Sequence, residues 1–112
     1  MFTKEDVTKL AFKIYKENKG VEKSAWRLAE LCVTINSNAK DGYDIKPLET
    51  DNLILLIRDD VNGQLIHPSE DEIRKVAEII YHENPSRSQI DWYIAEKQLL
   101  LEEIKKIIAN NS

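Results

Sequence analysis

Displacing the chain against itself by 66 residues lays Thr3–Val33 over Ser69–Leu99, and this internal repeat constrains the fold more than any other feature. The identities are Lys9/Lys75, Ala11/Ala77, Ile14/Ile80, Tyr15/Tyr81, Glu17/Glu83, Asn18/Asn84, Trp26/Trp92, Ala29/Ala95 and Glu30/Glu96. Thr3/Ser69, Val7/Ile73, Leu10/Val76 and Leu28/Ile94 are conservative pairs between them. Both tryptophans belong to the set, and the matches fall at the spacing of a buried helix face. The chain reads as a duplication.

Each copy opens on a capping box, Thr3-x-x-Asp6 or Ser69-x-x-Glu72, in which a hydroxyl and a carboxylate satisfy the first free N–H groups of a helix. Val7, Leu10, Ala11 and Ile14, and likewise Ile73, Val76, Ala77 and Ile80, then recur with helical period. Asn18-Lys19-Gly20 and Asn84-Pro85-Ser86 stop these helices. A second helix follows in each copy, carrying Trp26, Leu28, Ala29, Cys32, Val33 and Ile35, or Trp92, Ile94, Ala95, Leu99 and Leu101. Links this short predict antiparallel helical hairpins. The expected fold is all-α: two homologous antiparallel helical hairpins, 3–35 and 68–110, joined by a connector, 36–67, within a single domain over 1–112. Residues 36–42 of the connector are turn-rich. Residues 47–61, ending at Asn62-Gly63, suit one further short helix or a strand; helix is preferred, because a lone hairpin would have no sheet to join.

The pattern Ala-x3-Tyr, a turn, then Trp-x2-Ala-Glu-x2-(Leu/Val) resembles the short bacterial helical hairpin catalogued as domain of unknown function 2934. Here it runs through Ala77, Tyr81, Trp92, Ala95, Glu96 and Leu99, and again through Ala11, Tyr15, Trp26, Ala29, Glu30 and Val33. The resemblance covers about 62 of the 112 residues, leaves the connector unmatched, and departs at the turn, where the family has a longer Gly/Arg-rich loop. It implies a helical fold and a bacterial or phage setting, and it carries no reaction with it.

Composition narrows the function. Sixteen basic against twenty acidic residues give a net charge of −4, which argues against a general polyanion binder. One cysteine, Cys32, excludes an intramolecular disulfide and any multi-cysteine zinc site. The three glycines stand singly at turns, so no phosphate loop exists. The start of the chain has no apolar signal region and no run suits a membrane span, so a cytoplasmic, reducing setting is expected.

Few residues suggest chemistry. Trp26 and Trp92 read either as stacking platforms for bases or, better, as partners of Tyr15 and Tyr81 that lock each hairpin. Glu17, Glu30, Glu83 and Glu96 recur by duplication and suit helix–helix bonds better than acid–base work. His82, one turn beyond Glu78, has no counterpart in the first copy, His67 reads as structural, and Cys32 lies among apolar residues as a core thiol. No cofactor, metal or catalytic residue is expected, and the protein is read as a non-enzyme.

Two surfaces stand out. Residues 1–27 carry seven basic and four acidic side chains, and Lys9, Lys13 and Lys16, with Lys23 near, form a flank that could follow a phosphate backbone or be simply solvated. Residues 57–112 carry −4 and would oppose one. The last helix outruns the repeat with Leu100, Leu101, Ile104, Ile107 and Ile108, an apolar stripe for a partner, a second copy, or the core between hairpins. Phe12 aligns with Glu78 and Lys13 with Ile79, so Phe12 and Ile79 are each expected to meet something beyond their own hairpin. The favoured function is a small protein–protein interaction module, an adaptor or regulator binding a protein partner or itself. Nucleic-acid binding through the lysine flank is the alternative.

Overall fold

The computed structural model describes residues 2–17, 20–38, 47–48 and 63–110. Four α-helices occur in chain order: α1 (Lys4–Glu17), α2 (Val21–Asn38), α3 (Glu70–Glu83) and α4 (Arg87–Asn110). Among the described residues there is no strand, and the fold is all-α. The helix-or-strand question at 49–61 lies outside the described residues. At its borders, Pro47–Leu48 form a turn, and Leu48 and Leu65 pack on the core.

Local chemistry sets the helix ends. The Thr3 N–H donates to Asp6 Oδ2 at 2.8 Å while Thr3 Oγ1 accepts from the Asp6 N–H at 3.2 Å, a complete capping box. The bond from the Thr3 N–H favours the Asp6 carboxylate and is the largest cause holding its pKa below the ordinary value, with the Thr3 side chain adding to it. Ser69 Oγ accepts from the Glu72 N–H at 3.3 Å. A further box starts α4: Ser86 Oγ accepts from the Gln89 N–H at 3.1 Å, and the Ser86 N–H donates to Gln89 Oε1 at 3.0 Å. After α3, Asn84 turns left-handed at φ 50° and its N–H donates to the Tyr81 carbonyl at 3.2 Å. In the first unit Gly20, at φ 86°, takes the left-handed position before α2.

The packing runs across the units. α2 packs on α4, α1 packs on α4, and α3 packs on α2; α1 and α2 make no packed contact with each other, and neither do α3 and α4. Each first helix thus lies on the second helix of the other copy. Exchanging the copies preserves this pattern, so it has the pseudo-twofold symmetry a duplication implies. A three-residue link allows this arrangement because such a link serves helices that diverge at a wide angle as well as helices that fold back.

The crossing of α2 over α4 makes the core. Leu28, Leu31 and Ile35 of α2 meet Ile90, Ile94, Leu101 and Ile104 of α4, with Ile73 and Ile80 of α3 closing one side. This burial corrects the expected docking stripe: Leu100, Leu101 and Ile104 lie inside the chain's own core, because α2 crosses the face that a self-closed second hairpin would leave bare. Ile107 and Ile108 are half-buried against the same core.

The second helices end differently. Asn38 aligns with Ile104, and both are fully buried. Asn38 Nδ2 donates to the Thr34 carbonyl at 2.7 Å and the Ile66 carbonyl at 2.9 Å, and Asn38 Oδ1 accepts from the Ile66 N–H at 2.7 Å. One amide side chain therefore clamps the returning connector to the end of α2. In α4 the aligned isoleucine continues the apolar face, and the helix runs on to Asn110.

Candidate functional site

The crossed packing creates two seams related by the pseudo-twofold: α3 on α2, and α1 on α4. Sequence equivalence makes them comparable residue by residue, and they differ in one important respect. At the α1/α4 seam an arginine occupies the tyrosine-lined position, although a depression of about 270 Å³ lined by Ile14, Glu17, Ile94 and Gln98 lies farther along the same seam. The Arg87 guanidinium lies 4.3 Å from the centre of the Tyr15 ring, and Arg87 Nη2 donates to the Tyr15 carbonyl at 2.6 Å. Beside it, Lys16 Nζ sits 4.5 Å above the ring of Phe12. The divergence at position 12 predicts a contact for Phe12 beyond its own hairpin; among the described residues Phe12 is 60% exposed and its partner is Lys16, on the same helix.

The α2/α3 seam holds an open groove of about 360 Å³ instead. Ala25, Trp26, Ala77 and Tyr81 form its apolar surface, and Glu22, Glu78, Arg74 and His82 form its edges. Position 21, equivalent to Arg87, is a valine, which leaves Tyr81 without a stacked guanidinium; it is 54% exposed, against 44% for Tyr15. Glu22 and Glu78 form no ion pair among the described residues, whereas Arg74 is committed to Asp71 at 3.2 Å and Glu70 at 3.9 Å. The groove therefore has an aromatic face, a surplus of carboxylate, and no occupant from its own chain among the described residues. It also sets Trp26 and Tyr81 of the other copy on the walls of one groove, whereas the helices that would bring Trp26 to Tyr15, or Trp92 to Tyr81, within one hairpin do not pack on each other.

Three buried charges distinguish α4 from α2. Lys97, only 1% exposed, stands where α2 has Leu31; it pairs with Glu96 Oε1 and lies 5.5 Å from the centre of the Tyr93 ring. Asp91, 4% exposed, stands where α2 has Ala25, and its Oδ2 has no hydrogen-bond partner. Burial pushes the Asp91 carboxyl above its usual pKa, and the nearby Arg87 charge opposes the rise. These groups are dispersed along one helix, and no group of three or more His, Cys, Asp or Glu side chains among the described residues converges as metal ligands would.

The other candidates are scattered. Glu30 is held by Arg27 and Glu96 by Lys97, while Glu17 and Glu83 are exposed at the two helix ends. His67 lines a second cleft of about 310 Å³ with Arg27, Glu30 and Lys105, over a floor of Leu31, Ile73 and Leu101. His82 borders the open groove, and Cys32 is buried in the core. Lys9, Lys13, Lys16 and Lys23 are all exposed; Lys9 faces Glu5 at 3.9 Å, Lys16 covers Phe12, and Lys23 shares a depression with Glu17. Ile79 is exposed on the flank of α3 away from the groove. Among the described residues, no helix is long and apolar enough to cross a membrane.

Sequence reasoning passed over the groove because its walls come from different copies. The available signal was the divergence of Val21 from Arg87 and of Ala25 from Asp91, two substitutions that distinguish the seams. No family model, no curated protein and no solved structure matches the chain.

Proposed function

We propose that this protein is a small, non-enzymatic interaction module that docks a protein partner in the α2/α3 groove. The observation that carries this reading is the open aromatic surface of Trp26 and Tyr81 in a chain whose C-terminal apolar stripe is largely used for its own core. Grooves between helices lined by aromatic and small apolar side chains suit a peptide or helix edge, with polar edges setting its register. Kinship of each unit with domain of unknown function 2934 belongs to the same proposal, supported by the repeated Trp-x2-Ala-Glu pattern. The lysine flank gains no comparable support, since the described partners of Lys9 and Lys16 lie within α1.

The test is capture from source-cell lysate with nuclease present, using the wild type and Tyr81→Glu, which places a charge in the groove at an already exposed position. A partner held by the wild type and lost by a normally helical Tyr81→Glu protein is the expected result. A partner retained by Tyr81→Glu would exclude the groove. Partners that vanish with nuclease would move the site to Lys9, Lys13, Lys16 and Lys23.

A further inference from the structure

We propose that the α2/α3 groove recognises an arginine side chain of its protein partner, a deepening that rests on the docking reading above. The molecule contains a precedent. In the equivalent seam Arg87 stacks on Tyr15 and bonds the Tyr15 carbonyl, so the same helix-on-helix geometry already accommodates a guanidinium. Tyr81 is the counterpart of Tyr15, and Val21 stands in place of the arginine.

The open groove suits a cation better than its counterpart does. Glu78 replaces Phe12 and Glu22 replaces Ser88, so the open groove carries two carboxylates where its counterpart has the one of Asp91, while Arg74, in place of Thr8, is paired with Asp71 and Glu70. Tyr81 lies in the last turn of α3, where carbonyl oxygens form the negative end of the helix dipole. Its carbonyl accepts the Asn84 N–H and has a second lone pair to offer. A planar guanidinium can stack on the ring and donate to that oxygen together, which a lysine ammonium does less well. Free arginine is disfavoured because its own carboxylate would lie near Glu22 and Glu78. An arginine within a polypeptide has no such charge.

The experiment titrates the uniformly ¹⁵N-labelled chain with acetyl-Gly-Arg-Gly-amide and with its lysine and citrulline counterparts. Saturable shifts of the Trp26 indole N–H and of residues 77–82 are expected with arginine, several-fold weaker binding with lysine, and no saturation with the neutral citrulline. Val21→Arg supplies the missing side chain from within and should abolish the response, as should Tyr81→Ala, both with the dispersed spectrum of a folded chain. No saturable response to the arginine peptide would overturn the proposal. So would equal binding of citrulline, or wild-type binding by a folded Val21→Arg protein. A partner that needs Tyr81 for capture, combined with a silent arginine titration, would leave the docking reading standing and remove the arginine assignment. Arginine binding with no groove-dependent partner would do the reverse.

Discussion

The two seams begin from one template and end in different states. At the α1/α4 seam, Arg87 covers Tyr15 and Asp91 is buried; at the α2/α3 seam, Val21 and Ala25 leave a groove. The shared features, Ala11/Ala77, Tyr15/Tyr81 and Trp26/Trp92, therefore maintain the architecture. The differing ones adjust what each seam does. On the docking proposal, the seam that retains the common frame but lacks Arg87 and Asp91 is the one that takes the partner.

Changes inside the crossed core should have the largest effects. Ile80 is fully buried at the α2/α3 seam, while its counterpart Ile14 is only half-buried at the other. Ile80→Ala should destabilise by about 2–5 kcal/mol, and Ile14→Ala by clearly less, in chemical denaturation. Equal losses would mean that the seams are packed alike. Leu101→Glu, which would leave the fold intact on a surface stripe, should instead collapse the helical circular-dichroism signal.

Asn38→Ala comes next. It leaves the Ile66 N–H and carbonyl without their side-chain partner and should cost about 1–3 kcal/mol. Hydrogen exchange should also quicken at the Ile66 amide. An unchanged exchange rate there would show that Asn38 does not clamp the connector.

Asp91→Ala, which copies Ala25, should change stability in the opposite direction. A carboxyl whose folded pKa is raised gives its best stability below its unfolded pKa and loses it as pH rises through the folded value. Removing the unpaired Oδ2 should therefore stabilise the fold at neutral pH by about 1–3 kcal/mol and flatten the decline above mildly acidic pH. A less stable variant with the same pH profile would show that Asp91 is satisfied in solution. Arg87→Ala should have the smallest effect, about 0.5–1 kcal/mol for an exposed guanidinium–aromatic contact, since Tyr15 is already 44% exposed. A larger loss would mean that Arg87 is a main support of its seam.

Much of the fold was legible because helix formation is local. The period of Val7, Leu10, Ala11 and Ile14, the boxes at Thr3 and Ser69, and the stop at Asn84 all report on nearest neighbours along the chain. The choice of packing partner was not legible. A self-closed hairpin and a crossed pair bury the same faces of the same helices, so Tyr15 with Trp26 and Tyr81 with Trp26 satisfy one pattern equally. The stripe at Leu100, Leu101 and Ile104 was seen, but its use in the core depends on where α2 crosses. The groove followed from that crossing and was therefore hidden too, although the Val21/Arg87 difference marked its position.

The crossed pairing of the two units is the central claim, and nuclear Overhauser contacts between assigned aromatic side chains test it most directly. Cross-peaks between the Trp26 indole and the Tyr81 ring, and between the Tyr15 ring and the Arg87 side chain, are predicted. Cross-peaks linking Trp26 to Tyr15 in their place would mean that each hairpin closes on itself, and would contradict the account.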